Sequence, residues 1–291
     1  MVNMEEIVIE TAESLSEAVA FANRQFGLDF LQFQSKVYAN SDLGKTYTIR
    51  SDGRIAGMLS VYPTEYGQMR CLSVGTVCTA PEFRGQGMMS TLFQYLEHHV
   101  FPNYDLITLC GKRTRYERFG FAKAMTFPEY WFYSHGQGAL RLTIALGSDC
   151  ALLYDLWKTY GNGVQRTPEG MLEILRSAGH EVYLLTDGVG YGYISWKPAK
   201  RLITEYCGPW PVQAVIDSVA ALTGDGKIGI IGRYNRHDDV LLHSCDSYLI
   251  RNHGNIRIPN MEVDDVYHLF GYGGGEAKQL LPASLFFLDG I

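Results

Sequence analysis

Short runs in the first half of the chain alternate between apolar and polar positions, which is the spacing of half-buried β-strands. These runs predict strands at residues 5–11, 46–50, 55–62, 71–79 and 105–110. Ser51, Asp52 and Gly53 separate the second run from the third and predict a hairpin turn. The pattern therefore indicates one strand, then a gap, then three antiparallel strands in succession.

The segment after the first strand has the apolar spacing of a helix, set by Leu15 and Val19. Ser14, followed three residues later by Glu17, predicts a capping box at the start of this helix. Residues 26–38 are rich in phenylalanine and leucine, and we predict a helix or loop there that lines a cleft.

A strand that leads through a glycine-bearing turn into a helix is the strongest local pattern of the chain. Residues 77–89 read VCTAPEFRGQGMM and enter a helix predicted at residues 87–99. The N–H groups of a first helical turn are unpaired and the helix dipole is positive there, so this pattern favours anion binding. Gly85 and Gly87 leave the backbone open to a diphosphate, and Arg84 adds a positive charge. The alternative is a plain strand-to-helix turn whose glycines serve geometry alone.

A basic segment follows the fifth strand. Residues 111–121 read GKRTRYERFGF and predict a short helix that ends at Gly120 in a left-handed conformation, before an aromatic strand at residues 121–133. Tyr116 either packs this helix onto the sheet or takes part in chemistry. The cations of the segment either form a solvated face or help to neutralise an anionic cofactor; they are Lys112, Arg113, Arg115 and Arg118.

The order of elements in the first half returns after a polar, glycine-bearing linker at residues 134–138. The turn after the strand at 202–207 reads GPWP and carries no R-x-x-G-x-G pattern. Its two prolines have no N–H groups to donate. The second half is therefore either a degenerate copy of the first, without its anion site, or an unrelated α+β domain. Its predicted strands are at residues 139–146, 181–186, 189–196, 202–207, 227–232 and 247–251, and its predicted helices at residues 149–160, 167–177 and 209–222.

Composition and charge narrow the class of protein. The 291 residues, of which 46% are hydrophobic and 19% charged, suit one large or two modest globular domains. A net charge of −6 argues against nucleic-acid binding and mildly suits an amine substrate. The acidic first ten residues hold no signal-peptide core, and no apolar run reaches the ~20 residues of a membrane span. We therefore expect a cytoplasmic protein with no membrane partner.

The sequence gives little sign of metal binding. Six cysteines without a C-x-x-C pair predict neither a zinc site nor a disulfide framework. His237, Asp238, Asp239 and His243 are more typical of a polar loop than of a metal site, so we expect no metal. The glycine run at residues 271–275 lacks the Lys and Ser or Thr of a phosphate loop and predicts a turn.

Two segments resemble motifs of the GCN5-related N-acetyltransferase (GNAT) superfamily. The segment RGQGMM, residues 84–89, fits that family's R-x-x-G pattern and departs from it at Met89, where the family usually has Gly or Ala. The segment YERFGF, residues 116–121, resembles its Y-x-x-x-G-F signature. The resemblance implies an α+β fold with α/β/α layers, in which mixed, mostly antiparallel sheets are flanked by helices.

The resemblance also implies roles for individual residues. Acetyl-CoA would be bound with its pyrophosphate on the loop amides and its pantetheine arm beside the preceding strand. Tyr116 would act as the general acid that protonates the departing thiolate, and backbone groups of residues 77–79 would receive the acetyl carbonyl. The cofactor-binding residues implied in this way are Val77, Cys78, Thr79, Arg84, Gly85, Gln86, Gly87, Met88 and Met89.

The arrangement as a whole resembles the tandem-domain, enhanced-intracellular-survival acetyltransferases. This implies a catalytic GNAT domain at residues 1–134 and a degenerate GNAT-like second domain at residues 139–291, which lines the substrate cleft or makes a dimer contact. Those enzymes use their terminal carboxylate as a base, which here belongs to Ile291. We expect this shorter chain to lack their third domain.

Two hypotheses follow. The first is an acetyl-CoA-dependent N-acetyltransferase that moves an acetyl group to a primary amine of a small molecule or peptide by direct attack. The second is a non-catalytic coenzyme A-binding or scaffolding module that keeps the fold, and either protein could form a homodimer. A base for the amine is not singled out: a water chain or a backbone carbonyl competes with the side chains Glu65, Glu82, His98 and His99.

Overall fold

The computed structural model describes residues 6–11, 14–33, 38, 44–66, 68–110, 116–161, 166–231 and 247–257. The strands are β1 (Glu6–Ile9), β2 (Lys45–Ser51), β3 (Arg54–Tyr66), β4 (Met69–Thr79), β5 (Leu106–Cys110), β6 (Ala122–Tyr133), β7 (Arg141–Ile144), β8 (Glu181–Thr186), β9 (Tyr191–Lys197), β10 (Leu202–Cys207), β11 (Lys227–Ile231) and β12 (Ser247–Arg257). The helices are α1 (Leu15–Phe26), α2 (Phe30–Phe33), α3 (Met88–His99), α4 (Cys150–Tyr160), α5 (Met171–Arg176) and α6 (Val212–Thr223).

These elements form two compact units. The first contains the described residues up to Met125 together with residues 253–257, and the second contains the described residues from Thr126 to Asn252. The chain therefore leaves the first unit along β6 and returns to it along β12. The functional division into a catalytic domain at 1–134 and a degenerate copy at 139–291 stays a prediction.

The sheet of the first unit has the strand order β1-β2-β3-β4-β5-β12. Its neighbours run antiparallel, except for β4 and β5, which are parallel. The sheet of the second unit has the order β7-β8-β9-β10-β11-β6, and here β10 and β11 are the parallel pair. The two sheets thus repeat one topology, and each takes its sixth strand from the other half of the chain.

This repeated topology confirms the predicted fold class, with two mixed, mostly antiparallel sheets flanked by helices. The strand predicted at residues 247–251 is longer in the structure and continues to Arg257. Its last four residues, from Gly254 onward, pair antiparallel with β5, from Cys110 back to Ile107. That long-range pairing has no local signal in the sequence.

Helices cover both faces of the sheet in the first unit. Leu92, Phe93 and Leu96 of α3 pack against one face, in a buried core that includes Ile49 and Leu72. The opposite face is covered by α1 and by a second buried cluster of apolar side chains, which includes Ala18, Val19, Phe21, Phe30, Ile55 and Met58. The β4–α3 connection therefore lies in an α/β/α sandwich.

The structure confirms one local prediction and corrects another. Asp52 and Gly53 both have positive φ, 51° and 74°, as a tight hairpin turn requires. The capping box at Ser14 is wrong, because Ser14 makes no side-chain cap bond to the helix. Its hydroxyl instead accepts the N–H of Thr11 at 3.0 Å, and the Glu17 carboxylate accepts from Arg50 at 2.8 Å. An ion pair with a distant residue replaces the local contact.

Candidate active site

The turn between β4 and α3 has the backbone of an anion site. Gly85 and Gly87 have φ values of 78° and 89°, a region that L side chains rarely adopt, and a Cβ at either position would meet nothing within 4 Å. Gly87 is the N-cap of α3, so the N–H groups of Met88, Met89 and Ser90 have no intrahelical partner, and the first intrahelical bond runs from Thr91 to Gly87. N–H groups without intrahelical partners at the positive end of a helix dipole favour a negatively charged ligand.

Two side chains of the turn stabilise it by hydrogen bonds to its own backbone. The Arg84 Nε donates to the carbonyl of Thr79 at 3.3 Å, and Gln86 donates from its amide to the carbonyl of Glu82 at 2.8 Å. The guanidinium of Arg54 lies 5.7 Å from the ring centroid of Phe83. Arg54, which follows the hairpin turn, is a second cation beside the loop that sequence reasoning missed.

The strand β4 carries a bulge just before the turn. Met58 pairs with Cys78 and Ser60 with Gly75, so β4 has one residue more than β3 over this stretch. Thr76 lies in the bulge with a φ of 48°, an uncommon value for a residue other than glycine. Such strained residues are typical of functional sites.

Among the described residues, the last pair of β4 and β5 lies next to the bulge. Their parallel register ends at Val74 and Leu109, whereas the register of β4 with β3 continues to Thr79. Within the described residues, the β5-side edge of β4 from residue 75 onward therefore lies outside the ladder. Backbone N–H and C=O groups of the predicted segment 77–79 are in this stretch, where an extended ligand can pair with them.

Cys78 is half-buried in this segment. Burial raises the pKa of its thiol to about 12, while the nearby charge of Arg84 acts in the opposite direction. A thiol that stays protonated near neutral pH is a poor nucleophile. Cys78 is therefore placed to line the site rather than to carry an acyl group.

A buried network of hydroxyl groups lies against the bulge. The Tyr38 hydroxyl is 2.8 Å from the Oγ of Ser60, which is 3.0 Å from the Oγ1 of Thr46. Burial raises the pKa of Tyr38 above its ordinary range, against the opposing effect of its hydrogen bonds to Ser60 and Thr76. Tyr38 thus ties the strained residue of the bulge to the segment after α2, a contact that residue spacing alone could not reveal.

Tyr116 lies in the segment that leads into β6. It precedes a short 3₁₀ turn, Glu117–Phe119, which ends at Gly120 with a φ of 78°, so the predicted left-handed cap is confirmed. Its half-buried ring is 6.3 Å from that of Phe93 in α3 and 6.4 Å from that of Phe121, measured between centroids. The same helix therefore begins at the glycine turn and contacts Tyr116.

The basic residues around Tyr116 divide into two groups. Arg118 is exposed, with its guanidinium 4.6 Å from the ring centroid of Phe119. Lys112, Arg113 and Arg115 lie outside the described residues.

Three of the four side chains considered as a base lie away from the turn. His98 and His99 are in the last turn of α3, about 15 Å along the helix axis from its start. Glu65 pairs with Arg70 in the β3–β4 ladder, at the opposite end from Thr79. Glu82 is in the turn itself and is exposed, and Ile291 lies outside the described residues.

The counterpart turn in the second unit is filled by its own side chains. The Tyr206 hydroxyl accepts the N–H of Trp210 at 2.9 Å and donates to its carbonyl at 2.7 Å. The Trp210 indole donates to Asp187 at 3.1 Å, and Pro211, which has no N–H, is the N-cap of α6. A Cβ at Gly208 would approach the Tyr206 ring to 2.9 Å, so this turn has no open cradle.

The bulge itself is retained in the second unit, where β10 has one residue more than β9 between Ile203 and Glu205. A buried ion pair lies beside it: Arg166 donates two bonds to Glu205, at 2.7 and 2.8 Å, and Tyr193 donates a third at 2.5 Å. The second unit therefore keeps the backbone irregularity of the first but surrounds it with a charged network.

A family model describes the first half of the chain. Residues 5–121 match the acetyltransferase (GNAT) family. This matched segment is less than half of the 291-residue chain. The match contains β4, the glycine turn, α3 and Tyr116, and acetyl transfer is the activity that the name of the matched family gives. Comparison with curated proteins found no match.

Solved structures resemble the chain beyond the matched segment, and their low sequence identities show a shared fold only. A probable N-acyltransferase from Enterococcus faecalis V583 is 14% identical, with a TM-score of 0.70 over 89% of this chain and 73% of that one. Eis1 from Mycobacterium abscessus is 16% identical, with a TM-score of 0.56 over 88% and 73%. A tandem GNAT protein from the clavulanic acid biosynthesis pathway is 9% identical, with a TM-score of 0.55 over 89% and 100%.

Several expectations lie partly or wholly beyond these findings. In the described part of the chain, no helix is long and apolar enough to cross a membrane, and no group of three or more His, Cys, Asp or Glu residues is arranged to hold a metal ion. His237, Asp238, Asp239 and His243, and the glycine run at 271–275, lie outside the described residues. Cytoplasmic location, homodimer formation and the acceptor stay predictions.

Proposed function

We propose that this protein is an acetyl-CoA-dependent N-acetyltransferase whose GNAT domain transfers an acetyl group to a primary amine by direct attack. One observation carries the proposal: α3 begins at the open glycine turn and contacts Tyr116 through Phe93. One rigid helix thus connects the candidate anion site to the candidate acid, an arrangement that suits attack of an amine on a thioester whose donor is held by its diphosphate.

Acetyl-CoA supplies an acetyl group activated as a thioester. The turn suits its pyrophosphate, because the positive-φ backbone at Gly85 and Gly87 opens into free space where a side chain would otherwise stand. Unpaired amides of Gly87, Met88 and Met89 would hold the phosphate oxygens, with Arg84 and Gln86 at the mouth of the turn. Val77, Cys78 and Thr79 would pair with the extended pantetheine arm along the β5-side edge of β4.

The same edge of β4 suits the acetyl carbonyl. Backbone N–H groups fixed in the bulge at Thr76 would stabilise the negative charge that develops on this oxygen when the amine attacks. As the C–N bond forms and the C–S bond breaks, Tyr116 would give its proton to the sulfur and regain one from solvent. Glu82 of the turn is exposed, and the proton lost by the amine would pass to solvent.

The second unit serves a different purpose in this proposal. Trp210 and Tyr206 occupy its counterpart turn, so we expect it to bind no acetyl-CoA and to act as a non-catalytic partner of the GNAT domain. One molecule of acetyl-CoA per chain is the expected stoichiometry. The chemistry and the four free thiols described suit the reducing cytoplasm.

A panel of acceptors tests the proposal. The purified protein is incubated with acetyl-CoA and separate polyamines, amino acids, aminoglycosides and lysine-containing peptides, and free thiol is measured over time. We expect thiol release with at least one amine and a matching gain of 42 Da, the mass of an acetyl group, by the acceptor. Binding of acetyl-CoA without product from any amine would favour a coenzyme A-binding or scaffolding module instead.

A further inference from the structure

We infer that Arg257, contributed by the strand that returns from the second half of the chain, is a positioning residue for Tyr116. It fixes the turn that carries Tyr116 onto α3, and so sets where the phenol lies relative to the glycine turn. This inference rests on the proposed role of Tyr116 as the general acid.

Arg257 holds the turn at its backbone. Its Nη1 donates to the carbonyl of Phe119 at 2.5 Å, and its Nη2 donates to the carboxylate of Glu97. The guanidinium also lies 5.5 Å from the ring centroid of Phe101. Only 13% of the Arg257 side chain is exposed, and a partly buried, charge-assisted bond to a carbonyl is stronger than one made in water.

Gly120 makes this contact possible. Its φ of 78° closes the turn, and a Cβ at this position would approach the Arg257 guanidinium to 3.2 Å. The glycine of the Y-x-x-x-G-F segment therefore serves two purposes here. It permits the left-handed backbone and it leaves room for the cation.

Two residues on one face of α3 hold the turn that follows Tyr116, one directly and one through Arg257. Phe93 and Glu97 are four residues apart, so they lie one above the other on the helix. Phe93 stacks on Phe119 with centroids 4.2 Å apart and an angle of 14° between the rings. Glu97 holds Arg257, which holds the carbonyl of the same Phe119. Because Tyr116 directly precedes this 3₁₀ turn, a shift of the Phe119 carbonyl also shifts Tyr116.

A purely structural role predicts a different result from a positioning role. If Arg257 only stabilised the fold, the folded fraction of an Arg257→Met variant would have full kcat. If it positions Tyr116, kcat falls in fully folded protein while KM for acetyl-CoA is retained, because the glycine turn is untouched. A displacement near 1 Å in a catalytic group costs about 10- to 100-fold in rate.

The experiment is a double-mutant cycle in the full chain. It compares wild type, Arg257→Met, Tyr116→Phe and the double variant, with Arg257→Lys as the conservative change and Arg70→Met as the matched control. Arg70 forms an exposed ion pair with Asp105 in the same unit, so we expect its loss to leave kcat unchanged. We expect Arg257→Met to lower kcat about 10-fold or more in the wild-type background and by less than about twofold in the Tyr116→Phe background. Additive effects would overturn the inference.

Amide exchange provides a readout that needs no turnover. The N–H of Phe121 donates to the carbonyl of Tyr116 at 3.3 Å within the turn. Its exchange should quicken about 10-fold in Arg257→Met and not in Arg70→Met. If the wild-type protein acetylates nothing, the proposed function fails, and unchanged exchange in Arg257→Met separately refutes the positioning role.

Discussion

The ring of Phe93 lies 6.3 Å from the ring of Tyr116, measured between centroids. Phe93 is five residues after Met88, the first residue of α3, and so about 7.5 Å along the axis from the glycine turn. Two segments that are more than twenty residues apart in sequence are thereby joined by one and a half turns of helix. A rigid link of this kind fixes the distance between the glycine turn and the phenol.

The first prediction concerns the hydroxyl of Tyr116. Tyr116→Phe keeps the ring that packs against Phe93 and Phe121 but removes the proposed proton donor, so kcat should fall about 100-fold or more with little change in the Kd for acetyl-CoA. Thiol release at saturating acetyl-CoA measures kcat, and calorimetric titration measures Kd. Tyr183→Phe, which removes a hydroxyl bonded to Glu181 in the second unit, should leave both unchanged. Full activity of Tyr116→Phe at every pH would exclude the acid role.

The second prediction separates backbone strain from ligand binding. Gly87→Ala and Gly53→Ala each place a Cβ at a positive φ, 89° and 74°, with no neighbour within 4 Å. Both should therefore lower the free energy of unfolding by about 1–2 kcal/mol. Only Gly87→Ala disturbs the amides at the start of α3, so it alone should weaken acetyl-CoA binding, by about 10-fold, which corresponds to one lost charge-assisted hydrogen bond. If Gly87→Ala and Gly53→Ala bind acetyl-CoA with equal affinity, the glycine turn is not the binding site.

A third prediction concerns the buried carboxylate of Glu10. Its side chain is fully buried, and its Oε1 accepts from Thr48 at 2.5 Å and from Arg50 at 3.0 Å. Burial raises its pKa, but hydrogen bonds from Ser14, Thr48 and Arg50 and the charge of Arg50 outweigh this effect, so the net pKa is lower than the ordinary 4.5. The ionised group therefore stabilises the fold above pH 4.5, and this contribution is lost as pH falls through the lowered pKa.

Two Glu→Gln variants test this contribution of the ionised Glu10 carboxylate. Glu10→Gln should lower the free energy of unfolding at pH 7 by about 1.5–3 kcal/mol, and the difference from wild type should shrink below pH 4.5. Glu17→Gln removes the other carboxylate on Arg50, but its side chain is 53% exposed, so a loss under about 1 kcal/mol is expected. Urea titrations at pH 7, 5 and 4 provide the comparison. A pH-independent difference for Glu10→Gln would contradict the assigned ionisation.

The fourth prediction compares two buried tyrosines of equal exposure. Tyr38 ties the bulge of β4 to Ser60, and Tyr206 bonds to Trp210 in the counterpart turn of the second unit; their residues are 4% and 3% exposed. Each change to Phe should cost about 1–3 kcal/mol of stability, because it leaves buried polar partners unsatisfied. Tyr38→Phe should also lower kcat several-fold by relaxing the bulge, whereas Tyr206→Phe should not. A comparable fall in kcat for Tyr206→Phe would link the second turn to catalysis.

Local signals explain why parts of the fold could be predicted. The turn at Asp52 and Gly53 and the left-handed Gly120 depend on residues adjacent in sequence, and their φ values agree with the predictions. The helix predicted at 87–99 begins at Met88 with Gly87 as its cap. The positive-φ backbone of the glycine turn was predictable for the same reason, because six consecutive residues determine it, whereas anion binding there stays a prediction.

Contacts between distant residues escaped prediction. Arg257 reaches Phe119 across 138 positions, and the pairing of β12 with β5 that brings it there has no counterpart in local periodicity. The spacing of Ser14 and Glu17 predicts a capping box, yet in the structure the Glu17 carboxylate accepts from the distant cation Arg50. The bulge at Thr76 likewise depends on the register of two strands and on the Tyr38 hydroxyl, neither of which hydrophobic spacing determines.

The most direct test of the central claim is a crystal structure of the protein grown with saturating acetyl-CoA. We predict one molecule per chain, with diphosphate oxygens about 2.7–3.2 Å from the amide nitrogens of Gly87 and Met88 and the sulfur beside the Tyr116 hydroxyl. A glycine turn that stays empty or is closed by a neighbouring side chain, or acetyl-CoA bound only in the second unit, would contradict the account.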